Sequence, residues 1–152
     1  MGRLSRWLGT ADDARDLVSD LLEVYRVEAE QADRLRQHAA RARYPQVADT
    51  LRQLADAEDR HAGWLRDSIL ALGGGVPPVA PLPPVARNQW ERAVSARQQA
   101  QQKRRRLVEL ASRWDPERPA EVAILRRIER EDSAALERYD HLIMRADPHA
   151  LD

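Results

Sequence analysis

Apolar residues recur along most of this chain at steps of three and four, the period of one face of an α-helix. Ala14, Leu17, Leu21, Tyr25, Leu35, Ala39 and Ala42 make one such stripe and predict a helix over about 11–43. Thr10, followed by Ala-Asp-Asp, reads as its N-cap with acids in the first turn. Pro45 suits the first turn of a second helix, over 45–72, striped by Val47, Leu51, Leu54, Leu65 and Leu72. Ala93, Ala96, Ala100, Leu107, Leu110 and Trp114 predict a third over 86–114. After Asp-Pro-Glu-Arg-Pro, a fourth over 117–146 carries Val122, Leu125, Leu136, Tyr139 and Ile143.

Between the second and third helices lies GGGVPPVAPLPPV, residues 73–85, which suits neither helix nor strand. A Pro-rich chain extends ~3.1 Å per residue, so this segment reaches roughly 40 Å, the length of a long helix. A tight hairpin needs only a few residues, whereas this one can return along the whole bundle and leave the second and third helices parallel. The expectation is all-α: one domain over 1–152, a four-helix bundle of two helical hairpins joined by a long crossover.

Five of the stripe positions are ionisable. Glu28 lies on the first stripe, Glu58 and His61 on the second, and Glu129 and Asp132 on the fourth. Residues three apart share a helix face about one turn apart. Burying one unpaired carboxylate costs several kcal/mol, so acids from several helices at one height must be satisfied together. Divalent metal ions do this: carboxylates bridge and cap them, and a Glu-x-x-His turn offers an oxygen and a nitrogen to one ion. The halves also repeat. A shift of 71 residues lays Pro45 on Pro116, Leu54 on Leu125, Glu58 on Glu129, His61 on Asp132 and Glu28 on Gln99.

Glu28, then an interval of 30 residues, then Glu58-x-x-His61 resembles the first half of a ferritin-like protein of the rubrerythrin kind. The resemblance extends over nearly the whole chain as helix, helix, crossover, helix, helix. It implies a ferritin-like bundle in which each half supplies one Glu and one Glu-x-x-His to a pair of irons. Carried over, the metal ligands are Glu28, Glu58 and His61 from the first half and Glu129 from the second. The second half departs from the pattern: Gln99 stands for a Glu and Asp132 for a His, with Glu91 and Glu131 nearby as acids that could compensate. Iron is the implied cofactor, as two ions or one, with manganese or zinc as alternatives. The implied chemistry is oxidation of Fe(II) or the handling of peroxide or dioxygen. The competing reading is a bundle that has lost its metals and serves as a structural or protein-interaction module.

Composition narrows the field. The chain of 152 residues has no Cys, which excludes disulfides, iron–sulfur clusters, Cys-ligated zinc and the rubredoxin-like site of longer rubrerythrins. Its 25 basic and 25 acidic residues balance, so nothing favours nucleic acid as a partner, and no apolar run suits a membrane span or signal peptide. A cytoplasmic protein, as a homodimer or larger homo-oligomer, is the expectation. Lys103, the only Lys, lies one turn beyond Gln99 and has two readings. It heads the solvated run KRRR, or its ammonium replaces a metal's charge against the inner acids. His38, His141 and His149 are expected at the surface, and Trp7, Trp64, Trp90 and Trp114 as core or contact anchors.

Overall fold

The computed structural model describes residues 2–84 and 88–150, with side chains from Ala11 onward. Four helices follow in order: α1 (Gly2–Arg41), α2 (Pro45–Ala71), α3 (Gln89–Trp114) and α4 (Pro119–Met144). The first expectation needs correcting at its start, since α1 runs unbroken through Thr10. Asp12, Asp13 and Asp16 are exposed, so the acids lie along the wet side of a continuing helix and cap nothing. The first residues expected in α3 lie outside the described residues. The helix itself starts behind Asn88, whose Oδ1 accepts the Glu91 N–H at 2.9 Å. Both α2 and α4 open on proline, Pro45 and Pro119, where a missing N–H costs nothing.

Cross-helix contacts fix the directions. Along α1 from Glu23 to Glu28 the partners on α3 fall from Arg106 to Lys103, so these two helices are antiparallel. Arg36 of α1 reaches Asp56 of α2, and Arg97 and Arg104 of α3 reach Asp140 and Glu129 of α4, so both hairpins are antiparallel too. It follows that α2 and α3 run parallel, as the reach of the crossover allows. The crossover leaves α2 through a Schellman turn: Gly73 N–H bonds Leu70 O and Gly74 N–H bonds Ile69 O. Gly73 has φ +80°, and a Cβ on Gly74 would stand 2.8 Å from Val18 Cγ1, so glycine is needed at both. Farther on, the strap is pinned to α1. Leu82 N–H donates to Asp33 Oδ2 at 3.1 Å, and Gln37 Nε2 donates to Leu82 O at 2.9 Å.

The core comes in two apolar blocks. One gathers Leu17, Leu21, Leu65, Ile69, Leu107, Leu110, Trp114 and Leu125. The other gathers Leu35, Leu51, Leu54, Ala96, Ala100, Tyr139 and Leu142. Trp114 also donates its indole N–H to Asp20 at 2.9 Å, while Trp64 and Trp90 are half-buried and the Trp7 side chain lies outside the described residues. Among the described residues no helix is long and apolar enough to cross a membrane.

Candidate metal centre

Between the two blocks lies a layer of charge. Glu28, Glu58, His61, Lys103 and Asp132 are all buried, each at most 4% exposed, and together they come from all four helices. The Lys103 ammonium sits at the focus. Its Nζ is 2.9 Å from Glu28 Oε2 and 3.1 Å from Asp132 Oδ2, and it donates a short hydrogen bond to Glu58 Oε2. His61 faces the same space from the other side, with Nδ1 3.5 Å from Glu28 Oε2 and 3.6 Å from Asp132 Oδ1.

The other imidazole nitrogen is held from outside. Nε2 lies 2.8 Å from Glu131 Oε2, and Glu131 is kept below the usual carboxylate range chiefly by this hydrogen bond. An ionised carboxylate only accepts, so Nε2 carries the hydrogen and Nδ1 is left to face the two acids. Trp64 backs the ring at 5.4 Å between centroids, and the Arg127 guanidinium lies over Trp64. Carboxylate, histidine and open nitrogen in that order are how metal-binding histidines are oriented.

Electrostatics shows a layer short of positive charge. Burial pushes the Glu58 carboxyl up to about 8 against the pull of Lys103, and Glu28 beside it adds to the rise. Burial likewise raises Asp132 to about 6 and moves Glu28 upward. Lys103 is disfavoured by the same burial, but Glu28, Glu58 and Asp132 override it and hold the ammonium well above its ordinary value. Glu28 Oε1 and His61 Nδ1 are buried without a hydrogen-bond partner. Orphaned acceptors of this kind cost stability unless something satisfies them.

That something fits a metal ion. One atom each from Glu28, His61 and Asp132 lies within 4.8 Å of the others. Metal–donor bonds of ~2.1 Å put neighbouring donors roughly 3–3.4 Å apart, close to the spacings around His61 Nδ1. Two oxygens and an imidazole nitrogen suit a divalent first-row cation.

The other expected ligands are elsewhere. Glu129 points to the outer side of the α3–α4 hairpin, where its Oε1 accepts from Arg104 Nε and Ser133 Oγ, both at 2.8 Å. Gln99 is half-buried on the wall of a cleft between α1 and α3. Both placements follow from the repeat, which is a turn longer than a shift of 71 suggests. A shift of 74 lays Pro45 on Pro119, each at the head of its helix, and the buried residues Leu51, Leu54 and Leu65 on Leu125, Ile128 and Tyr139, also buried. It lays Glu58 on Asp132 and His61 on Ala135. For α1 and α3 a shift of 75 pairs the buried residues Leu21, Ala32, Leu35 and Ala39 with Ala96, Leu107, Leu110 and Trp114. Glu28 then falls on Lys103.

The cleft beside Gln99 encloses about 300 Å³ and is lined by Val27, Glu30, Gln31, Lys103 and Arg106 among others. Gln31, a buried residue that the helical stripe passes over, joins the layers: its Nε2 lies 3.3 Å from Ala96 O and 3.4 Å from Tyr139 Oη. Glu91 is exposed at the N-terminus of α3, far along the helix from Lys103. Of the histidines, His141 and His149 are exposed as expected, but His38 is buried between the helix ends with Ala42, Val47, Leu51 and Arg92.

A crossover bundle whose midpoint holds acids and a Glu-x-x-His histidine defines a ferritin-like carboxylate–histidine protein. The rubrerythrin family matches residues 21–111, more than half of the chain, and the protein belongs to that family. Among solved structures it resembles a bacterioferritin of Desulfovibrio desulfuricans, described with a diiron site in different catalytic states, at TM-score 0.79 and 18% identity. The match covers 88% of this chain and 81% of the other and speaks for the fold. A comparison with curated proteins gives no match.

Proposed function

We propose that this protein binds divalent iron among Glu28, His61 and Asp132, with Glu58 beside them, and serves the oxidation of Fe(II) by dioxygen or peroxide. The observation that carries the reading is His61 Nδ1, buried and unpartnered, aimed between two carboxylates from two other helices. A bound iron would supply the one-electron chemistry that these side chains lack. The chain's own residues do the rest. Glu131 holds the imidazole so that Nδ1 faces inward, and Glu28, Glu58 and Asp132 give up their protons as the cation enters. The apolar blocks on either side exclude bulk water. The cleft between α1 and α3, floored by Lys103, supports access for small polar reactants.

One observation favours the metal-free alternative: Lys103 already neutralises part of the layer. Metal analysis of chelator-free protein, with and without anaerobic Fe(II), separates the two readings. Saturable binding that is lost in both Glu28→Ala and His61→Ala is expected, followed by Fe(II) oxidation on admitting oxygen. No binding under either condition would leave a structural or interaction module.

A further inference from the structure

We propose that the centre takes a single divalent cation, among Glu28, His61 and Asp132, and that the Lys103 ammonium stands permanently in for a second. This deepens the iron-binding reading and rests on it. The argument starts from symmetry. In the repeat of 74 to 75 residues, the first half presents Glu28, Glu58 and His61, and the second presents Lys103, Asp132 and Ala135 at the matching places. The first set is a complete group of metal donors. In the second, one donor has become a cation, one has been shortened and one has been lost.

The geometry agrees. The ammonium is within contact distance of one oxygen on each of Glu28, Glu58 and Asp132, which is what a bridging cation would touch. The room left open is on the His61 side, where Nδ1 stands 3.5 and 3.6 Å from oxygens of Glu28 and Asp132. Charge points the same way. Three carboxylates around one ammonium leave two negative charges, which one divalent ion cancels. A second divalent ion would bring a double positive charge next to an ammonium in a buried site, where such repulsion is only weakly screened. Glu131, which touches His61 from outside, is partly exposed and shares its charge with Arg127 at 3.6 Å, and Tyr139 and Gln31 bear no charge that would offset the repulsion.

The experiment is metal counting on the intact chain, loaded anaerobically with Mn(II) and dialysed, with electron paramagnetic resonance on the same samples. The wild-type chain is expected to saturate near one ion, with the spectrum of an isolated Mn(II). The double variant Lys103→Glu, Ala135→His restores the missing donors and should saturate near two, with the spectrum of an exchange-coupled pair. Two ions in the wild-type chain would overturn this inference and leave the iron-binding reading standing; no ion at all would overturn that reading itself. A folded double variant that still takes one ion would show that Lys103 is not what excludes the second. Lys103→Gln gives an independent check, since removing the ammonium should tighten the first ion by at least ~10-fold. Unchanged or weaker binding there would also refute the proposal.

Discussion

Replacing Lys103 with Met keeps the length of the side chain and removes the charge that three buried carboxylates share. Lys103 is 4% exposed and Glu28 is fully buried, so solvent cannot move in to replace the ammonium. Removing one partner of a buried ion pair typically costs ~3–5 kcal/mol. For a domain of this size each kcal/mol lowers Tm by roughly 2–4 °C, so the melting temperature should drop by about 6–20 °C in the presence of chelator. The carboxyls have one way to relieve the strain, which is to take up protons. Glu58 is already held up to about 8 by burial, and without Lys103 its affinity for a proton rises further. The loss should therefore be large near neutral pH and smaller near pH ~5, where the native state can protonate its acids at little cost. Thermal unfolding followed by circular dichroism at both pH values decides it. A loss below ~1 kcal/mol, the range of an exposed ion pair, would refute the buried-clamp argument. So would an equal loss at both pH values.

Three further outcomes follow from the same geometry. Burial lifts Glu58 from 4.5 to about 8 and Asp132 from 3.8 to about 6, so between those values the folded chain holds more protons than the unfolded one. Stability in chelator should accordingly fall as pH rises from about 4 to about 8, and melting curves with saturating Mn(II) should be flatter over that window or rise. Glu131→Ala removes the acceptor that orients His61 and should weaken Mn(II) binding about 10–100-fold by calorimetric titration, with little change in Tm. Glu129→Ala breaks only the half-buried contact with Arg104 and Ser133. It should leave the number of bound ions unchanged and cost less than ~1 kcal/mol, and a lost ion would place Glu129 in the centre after all.

The parts of this architecture written as periodicity could be read from the chain, and the parts written as register could not. Large apolar residues mark α1 and α2 densely, so Glu28, Glu58 and His61 fall on the buried face without ambiguity. In the first half of α3 the inner positions are mostly Ala, and Gln99 and Lys103, one turn apart, both border that narrow stripe. Asp-Pro-Glu-Arg-Pro offers two prolines for one helix start. Pro116 in place of Pro119 moves the repeat by three residues, enough to put Glu129 where Asp132 belongs and Gln99 near where Lys103 belongs. Lys103 is hidden further by the basic run it heads, because a cation followed by three arginines looks like a solvated face. His38 departs from its expected surface position for a related reason: packing at the end of a bundle buries residues that the mid-helix stripe does not predict.

The asymmetry of the charged layer also governs which hairpins can associate. The first hairpin carries two acids and a histidine inward, and the second carries an ammonium and one acid. Two first hairpins from different molecules would meet with four carboxylates and no cation, a combination that is prohibitive without metal. A first hairpin meeting another molecule's second hairpin would regain every contact, and the long Pro-rich sequence between α2 and α3 would give that exchange the reach it needs. Lys103 therefore acts as a mating key. Any exchange of hairpins between copies of this chain would be confined to unlike halves, and loss of the lysine would remove the mark that tells the halves apart.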